Sequence, residues 1–416
     1  MKNIRNVATT MLETIIAENM PQNSVIKALA AHKLDKKNIY MVAIGKAAWT
    51  MAKAASEYLG GKIKKGIVIT KYGHSMGDIP QVDVYEAGHP VLDENTVAAT
   101  SAVLSLVKNL GESDEVLFLV SGGGSALFEA PHEGVSLEDL ASLTNSMLAS
   151  GADIIEINMV RKRLSKVKAG RFAALASPAS IFQIVLSDVL GDRLDTIASG
   201  PAAPDMSTSE EAFAIVEKYA LKLTLQQTEL LRRETPKATD NVKTVITGSV
   251  GSLCESAAAS AKSLGFTPYI ITTSLNCQAA EAGKFLAAIA QDTQQGNTIF
   301  TKPCAIIAGG ETVVKVTGSG LGGRNQEIAL SAAMGIAGLE NTLIFAIGSD
   351  GTDGPTDAAG GIVDGGTLAK LAAQGLSIDS VLANNDSYHG LRAANGLIIT
   401  GPTGTNVNDV AVILCI

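Results

Sequence analysis

Residues 116–128 read VLFLVSGGGSALF, a run of five apolar residues followed by a serine, three glycines and a second serine. Continuous apolar runs of this length are typical of parallel β-strands that helices cover on both faces. Glycines directly after such a strand permit a turn whose backbone N–H groups converge on an anion. A simple tight turn into a helix is the alternative. The residues of the predicted anion-binding turn are Ser121, Gly122, Gly123, Gly124 and Ser125.

The same pattern of apolar run, glycine turn and helical segment recurs on both sides of this stretch. The run NIYMVAIGKAA (38–48) ends its strand-like part at Gly45-Lys46. Helical periodicity occupies segments such as 93–110 and 136–150. This alternation predicts an α/β fold with a doubly wound, mostly parallel sheet. Further strand-like runs are 64–70, 82–87, 180–186, 244–250, 268–274, 304–318, 342–351 and 397–414.

The length of 416 residues predicts two domains, because single hydrophobic cores stop growing at about 250–300 residues. A hydrophobic fraction of 46% supplies ample material for two cores. The polar stretch RRETPKATDN (232–241) is the best linker candidate. We therefore expect an N-terminal domain over 1–235 and a C-terminal lobe over 236–416.

Charge and composition limit the partners. The net charge of -8 has no basic block within it, which argues against a nucleic-acid partner. No apolar run approaches the ~20 residues needed to cross a bilayer. The four cysteines form no CxxC pair, which favours free thiols in the cytoplasm. We expect a small-molecule substrate, while a homodimer stays an open alternative to a monomer.

A second glycine-rich loop, Gly318-Ser319-Gly320-Leu321-Gly322-Gly323, satisfies GxGxxG after a strand and before a helix. This context is also that of a dinucleotide site. However, Arg324 follows where such helices usually place a small residue, and the first acid near the next strand is Asp350. We interpret the loop as phosphate-binding with an arginine attached; a nicotinamide site is the alternative.

Charged residues follow several of the predicted strands. Asp350 and Asp353 share one glycine-rich loop, and Asp188 and Asp192 follow strand 180–186. Carboxylates in such loops suit Mg²⁺, which takes few protein ligands, although helix capping is the alternative for each aspartate. Lys46 is well placed to meet a phosphate or carboxylate. In the basic segment 157–171, Arg161 is among the better candidates for function. No GxxxxGK[ST] motif and no GxSxG motif occurs.

Taken together, these residues resemble the MOFRL-type, or class II, glycerate kinases over essentially the whole chain. One departure is visible at Lys168-Ala169-Gly170, where a second glycine is usual. The segments that carry the resemblance, in family order, are AIGKAAWTMA (43–52), AGHPVLDENT (87–96), LVSGGGSAL (119–127), INMVRKRLSKVKAGR (157–171), LSDVLGDRLDTIASGP (186–201), AGGETVV (308–314), GGRNQE (322–327), SDGTDGPTDAAGG (349–361), NNDSY (384–388) and TGPTGTNVND (400–409).

The resemblance implies two α/β lobes with a cleft between them. The first is Rossmann-like, and the C-terminal lobe contains the MOFRL segment at about 300–412. It also implies glycerate 2-kinase activity, in which ATP with Mg²⁺ phosphorylates D-glycerate to 2-phosphoglycerate. An NAD(P)H-dependent hydroxypyruvate reductase is the alternative.

Residue roles follow from the motifs and the resemblance together. We expect Lys46 and Arg324 to contact glycerate and the transferring phosphoryl group. Asp188 or Asp350 is expected to orient or deprotonate the 2-hydroxyl, and we favour Asp188 as a catalytic residue. The expected metal ligands are Asp192, Asp350 and Asp353. Besides the Ser121–Ser125 turn, the expected substrate- and phosphate-binding residues are Arg161, Glu311, Gly322, Gly323 and Asn325.

Overall fold

The computed structural model describes residues 3–187, 189, 191 and 193–416. The chain divides into two compact units. The first unit comprises residues 24–247, and the second comprises residues 1–23 together with 248–416. Both units are built from a six-stranded sheet and helices, as the predicted α/β fold requires.

The sheet of the first unit has the strand order β3-β2-β1-β4-β5-β6. The pairings β3/β2, β2/β1, β1/β4 and β4/β5 are all parallel, which confirms the predicted parallel sheet. The strands are β1 (Asn38–Ile44), β2 (Ile63–Lys71), β3 (Val82–Ala87), β4 (Asp114–Val120), β5 (Ser180–Leu186) and β6 (Val242–Gly248). The helices are α2 (Pro21–Ala31), α3 (Ala48–Leu59), α4 (Glu94–Val107), α5 (Gly124–Leu127), α6 (Leu137–Ala149), α7 (Ile154–Arg163), α8 (Arg171–Ala176), α9 (Ser209–Lys218) and α10 (Leu225–Arg232).

Both faces of this sheet are buried, which explains the unbroken apolar run of β4. Phe118 belongs to a core cluster with residues of α4 and α8, whereas Leu117 and Leu119 belong to a cluster with residues of α2 and α3. Successive side chains of a strand point to opposite faces, so a strand covered on both sides needs apolar residues at every position. Helices α6, α7, α9 and α10 form a third cluster with its own buried residues.

The second unit has the strand order β11-β10-β9-β12-β8-β7, and its sheet is mixed. Only β7 and β8 are parallel, while the other four neighbouring pairs are antiparallel. The strands are β7 (Thr267–Leu275), β8 (Cys304–Gly310), β9 (Thr342–Gly348), β10 (Gly360–Asp364), β11 (Leu397–Ile398) and β12 (Asp409–Cys415). The helices are α1 (Ile4–Glu18), α11 (Val250–Ser263), α12 (Ala279–Gln295), α13 (Arg324–Gly335), α14 (Thr367–Ala373), α15 (Ile378–Ala383) and α16 (Ser387–Ala393).

The observed division differs from the predicted boundary at 235/236 in two respects. Strand β6 completes the first sheet, so the chain leaves that unit only at residue 247. Helix α1 packs against α11 and β9, so the N-terminal segment belongs with the second unit. Arg5 of α1 strengthens this attachment through an ion pair of 3.1 Å with Asp364. Both contacts, that of β6 with the first sheet and that of α1 with the second unit, join residues far apart in the sequence, and no local sequence pattern predicts them.

The described helices include none that combines the length and the apolar character required to cross a membrane.

Candidate functional site

The strand order of the first unit places two glycine turns at a topological switch point. Strand β1 has β2 on one side and β4 on the other, so the chain reverses its direction of winding between β1 and β4. Open α/β sheets bind ligands outside the carboxyl ends of the strands at such a point. Here β1 ends at Ile44 and β4 ends at Val120. The Gly45-Lys46 turn and the Ser121–Ser125 turn therefore occupy the position where a ligand is expected.

Backbone hydrogen bonds tie these two turns together. The Lys46 N–H donates to the Gly122 carbonyl at 2.9 Å, and the Ser121 N–H donates to the Ile44 carbonyl at 3.0 Å. The Ser121 hydroxyl accepts from the Ala47 N–H at 3.1 Å. Gly45 has a φ of 113°, and a Cβ atom there would lie 2.3 Å from the Ser121 Oγ. Only glycine fits this close approach, which fixes where the Lys46 side chain begins.

The second turn presents free amides. Within the part of the chain that the structure describes, the N–H groups of Gly122, Gly123, Gly124 and Ser125 have no hydrogen-bond acceptor. The serine hydroxyls are already engaged, because Ser121 bonds within the turns and Ser125 lies 3.1 Å from the Ser199 hydroxyl. Convergent amides without acceptors are the usual requirement for binding phosphate oxygens. The amides, rather than the hydroxyls, are the available donors of this turn.

His89 is a residue of this site that the sequence prediction did not select. A Cβ atom on Gly123 would lie 2.9 Å from the His89 Nε2 and 3.3 Å from the Lys46 Cγ, so both side chains lie over the turn. Burial lowers the pKa of His89, and the positive charges of Lys46 and Lys71 lower it further. The imidazole is therefore neutral at physiological pH. Its position just after β3, at the same sheet edge, was the signal that could have identified it.

A buried lysine, Lys168, donates hydrogen bonds to carbonyl groups at the end of the turn and just after it. The Lys168 ammonium donates to the carbonyls of Ser125 and Phe128, both at 2.8 Å, and to the Ala198 carbonyl at 3.3 Å. Burial lowers its pKa to about 8, and the nearby charge of Arg161 acts in the same direction. Arg161 itself is half-buried at the end of α7, and its Nε has no described partner. Arg161 thus acts electrostatically on Lys168, and no described hydrogen bond joins it to the turn.

In the second unit, Arg324 is held by two carboxylates. Its Nε and Nη2 donate to Asp409 at 2.5 and 3.1 Å, and its Nη1 donates to Glu311 at 3.0 Å. Such a two-point contact fixes the plane of a guanidinium group. Burial raises the pKa of Asp409 to about 6, against the lowering effect of Arg324. Glu311, predicted to bind substrate, is therefore a partner of the predicted arginine, while Asp409 was not selected from the sequence.

Asp353 is buried at the beginning of helix α13. Its carboxylate accepts from the backbone N–H groups of Asn325 at 3.1 Å and Gln326 at 2.8 Å. Burial raises its pKa, and these hydrogen bonds oppose the rise. This is the helix-capping role that was the alternative for each aspartate. Asn325 is also buried, and its Oδ1 has no partner among the described residues.

The first part of the loop 318–323 offers no free amides to a phosphate, whereas the N–H groups of Gly322 and Gly323 have no acceptor among the described residues. The Gly318 N–H donates to the Asn385 Oδ1 at 2.9 Å, and the Gly320 N–H donates to the Asn384 carbonyl at 2.8 Å. The Leu321 N–H donates to the Asp386 Oδ1 at 2.9 Å. The segment 384–386 thus takes up the donors of the first part of this loop. Gly322 and Gly323, at its end, pack against Ser387 and Asp353.

Comparison with known proteins places the chain in a family. The family described as Domain of unknown function (DUF4147) matches residues 7–232, and the MOFRL family matches residues 304–409. A D-glycerate 2-kinase of Thermotoga maritima is 53% identical over 99% of this chain and 98% of its own length. A glycerate 2-kinase of Pyrococcus horikoshii is 43% identical over 91% of this chain and 87% of its own length. The chain belongs to the MOFRL-type glycerate kinases.

Solved structures agree with this assignment. A crystal structure of glycerate kinase from Thermotoga maritima superposes with a TM-score of 0.96 at 53% identity, covering 99% of each chain. The family also contains differently named proteins. A putative hydroxypyruvate reductase of Agrobacterium vitis is 37% identical over 90% of this chain and 98% of its own length.

The departure from the glycerate kinase pattern lies in a strained turn. Ala169 has a φ of 55°, in the left-handed region that favours glycine. Its N–H donates to the Ser199 carbonyl at 3.1 Å, and the next residue, Gly170, donates to the Gly200 carbonyl at 2.7 Å. The position where the resemblance led us to expect a second glycine thus has a backbone conformation that an alanine adopts only at a cost.

Two aspartates predicted for this glycerate kinase site, Asp188 and Asp192, lie outside the described residues. Among the residues that are described, no three His, Cys, Asp or Glu side chains converge as a metal-binding group. Asp350 is half-buried, and its Oδ1 accepts from the Thr352 N–H at 3.0 Å. The assignment of metal ligands therefore stays a prediction.

Proposed function

We propose that this protein is a glycerate 2-kinase, which transfers the γ-phosphoryl group of ATP to the 2-hydroxyl of D-glycerate and releases ADP and 2-phosphoglycerate. The names of the relatives at 53% and 43% identity support the reaction. The observation that carries it in the structure is the set of four amides beside Lys46, at the switch point of a parallel sheet, for which the described residues supply no acceptor. Phosphoryl transfer depends mainly on such positioning and charge stabilisation.

In this proposal the Ser121–Ser125 turn holds phosphate oxygens through its amides. Lys46 places a positive charge over the same turn and stabilises the charge that develops on the transferring group. The neutral His89 imidazole contributes a hydrogen-bonding nitrogen there. The 2-hydroxyl oxygen attacks the γ-phosphorus, the bond to the β-phosphate oxygen breaks, and the hydroxyl proton passes to a base. We propose Asp188 as that base, with Asp350 as the alternative.

We further propose that Arg324 binds an anionic group of the substrates. Its guanidinium is two-thirds buried, and Asp409 fixes it in one plane. Glu311 contacts only one nitrogen and its side chain is 43% exposed, so this carboxylate can yield to a substrate carboxylate or phosphoryl oxygen. Exchange of one carboxylate for another keeps the arginine paired throughout.

Mg²⁺ fits the donor set only in part. Within the described chain, the Asp350 Oδ2 has no hydrogen-bond partner, so it is available for a cation that needs few protein ligands. Asp353 fits less well, because backbone amides occupy both of its oxygens. We propose Asp350 and Asp192 as ligands, with Asp353 as the weakest candidate. When bound, the ion neutralises charge on the β- and γ-phosphates.

A coupled assay tests the reaction and its regiochemistry together. The purified protein is supplied with D-glycerate, ATP and Mg²⁺, and enolase is added without phosphoglycerate mutase. Formation of phosphoenolpyruvate requires the 2-isomer. ADP release that depends on glycerate but yields no phosphoenolpyruvate would instead indicate phosphorylation at another hydroxyl, and absence of both products would refute the kinase assignment.

The alternative is an NAD(P)H-dependent hydroxypyruvate reductase, the activity in the name of one relative. The occupied amides of Gly318, Gly320 and Leu321 argue against a pyrophosphate at the GxGxxG sequence. Hydroxypyruvate-dependent loss of the NADH absorbance would favour the alternative. The proposed use of ATP by the kinase agrees with the cytoplasmic location that we expect from the sequence.

A further inference from the structure

A cavity of about 820 Å³ lies within the first unit, apart from the turns described above. It opens between helix α7, the segment 193–207 and the beginning of strand β6. This volume lies in the range of small-molecule sites, which are mostly apolar with a few polar groups. The apolar residues of its wall include Ile155, Met159, Leu194, Ala202, Ala203 and Val242.

Lys162 lines this cavity in an unusual state. Its side chain is only 6% exposed, and it donates no hydrogen bond to a described residue. Its Nζ lies 4.0 Å from the Asp205 Oδ1, beyond hydrogen-bond distance. Burial lowers its pKa. A buried ammonium group without hydrogen bonds is unfavourable, so this lysine is poised to donate to an acceptor that enters the cavity.

The polar groups of the wall favour a neutral ligand over a polyphosphate. Three carboxylates, Asp195, Asp205 and Glu211, face two cations, Lys162 and Arg193. The cavity therefore carries no excess of positive charge. Asp205 accepts from the backbone and hydroxyl of the neighbouring serine at 3.2 and 3.0 Å, and each oxygen has a further lone pair. A donor and an acceptor thus stand side by side, 4.0 Å apart, in a wall that contains both polar and apolar residues.

Adenine carries the complementary pair, because its exocyclic amino group donates next to a ring nitrogen that accepts. Its flat, uncharged ring also suits apolar walls. The segment 193–207 leads from the cavity to the phosphate-binding turn, since the Ser199 hydroxyl lies 3.1 Å from that of Ser125. The Lys168 ammonium joins the same two segments, because it donates to the Ser125 carbonyl of the turn and to the Ala198 carbonyl of segment 193–207.

We propose that this cavity binds the adenine ring of the nucleotide, with Lys162 donating to a ring nitrogen and Asp205 accepting from the amino group. The inference rests on the proposed function, because it assigns the nucleobase end of a nucleotide whose phosphates bind at the Ser121–Ser125 turn. The nucleotide then lies along the segment 193–207.

The test separates the nucleobase from the phosphates. Ala203→Trp places an indole in the cavity, and binding of ADP and of tripolyphosphate to the full chain is measured by calorimetry. We expect the ADP affinity to fall by about tenfold or more, while the tripolyphosphate affinity changes less than about twofold. Ala149→Trp, at an exposed position of α6, is the matched control and leaves both affinities unchanged.

Lys162→Met provides a second measurement if the tryptophan variant does not fold. It keeps the side-chain length, and we expect it to weaken ADP by about fivefold or more without affecting tripolyphosphate. An unchanged ADP affinity in a folded variant, or an equal loss for both ligands, overturns the inference. The coupled assay on the unmodified protein reports separately on the kinase: active enzyme with unaltered ADP binding in the variants refutes only the adenine site.

Discussion

At the scale of single residues, Lys46 is the charge on which the phosphate site of the first unit depends. It lies beside amides to which no described residue offers an acceptor, and its own N–H donates to the Gly122 carbonyl. We expect Lys46→Ala to lower kcat/KM by more than tenfold, which corresponds to about 1.4 kcal/mol of transition-state stabilisation. Steady-state kinetics in the coupled assay measure the loss.

Lys53→Ala on α3 is the matched control, because it removes a lysine that forms an ion pair with Glu57 on the surface of the helix. Near-normal turnover of a folded Lys46→Ala protein would remove this residue from the site. Arg324→Ala is expected to show a loss of similar size, since its guanidinium is held ready by Asp409.

Asp409 makes a prediction about stability and pH. Its folded pKa of about 6 lies above the value of about 4 expected for an unfolded aspartate, so the folded protein binds the proton more tightly. Its contribution to stability is therefore fully present below about pH 4 and is lost as the pH rises through about 6. Asp409→Asn removes this titration.

Between pH 7 and pH 5, the free energy of unfolding of the wild type should therefore rise by about 1 kcal/mol relative to Asp409→Asn. Denaturant titrations of both proteins at several pH values measure the difference. Parallel stability curves would show that the Asp409 carboxyl keeps an ordinary pKa, and would weaken the argument that it is a buried partner of Arg324.

At the scale of elements, the turn 165–171 carries strain at Ala169, whose φ is 55°. An L-residue in the left-handed region costs roughly 1–2 kcal/mol of folding free energy, which glycine avoids. Part of that advantage is lost because glycine has a larger conformational entropy in the unfolded chain. We expect Ala169→Gly to raise the free energy of unfolding by roughly 0.5–1 kcal/mol. Thermal and denaturant unfolding measure it. Ala174→Gly, on the exposed side of α8, is the control and should destabilise the protein.

Elements also show what could be predicted from the sequence. The strand 116–120 was predictable because burial on both faces demands an unbroken apolar run. The turn after it was predictable because a left-handed backbone conformation, which Gly123 adopts with a φ of 85°, favours glycine. The loop 318–323 has an equally strong local pattern, yet its amides from Gly318 to Leu321 bond to Asn384, Asn385 and Asp386. A glycine-rich sequence indicates that backbone N–H groups are accessible to an acceptor. It does not show whether that acceptor belongs to a ligand or to another loop of the same chain.

The same limit applies to the charged residues. Aspartates in glycine-rich loops suggest a cation site, but Asp353 caps helix α13, 28 residues away in the sequence. Asp409 and His89 were missed because their roles depend on neighbours that pair across strands or across turns. Residue type and spacing identified Arg324 as a candidate, whereas its two carboxylate partners could be recognised only in three dimensions.

At the scale of the whole molecule, the attachment of the N-terminal helix escaped the sequence analysis. Helix α1 contributes Val7, Met11 and Ile15 to a buried surface and packs against α11 and β9 of the second unit. The Asn19 side chain extends this contact by donating to the Ser256 hydroxyl at 2.9 Å. Helix α1, although it precedes the first unit in the sequence, therefore stabilises the second unit.

Met11→Ala is expected to lower the free energy of unfolding by about 2–5 kcal/mol, because the fully buried side chain leaves a cavity. Hydrogen exchange should accelerate in residues 248–416 and in α1, since these form one compact unit, and less in residues 24–247. Met51→Ala, equally buried in α3, should give the reverse distribution. If Met11→Ala accelerated exchange mainly in residues 24–247, the helix would stabilise the first unit, and the predicted boundary near residue 235 would describe the cooperative units better.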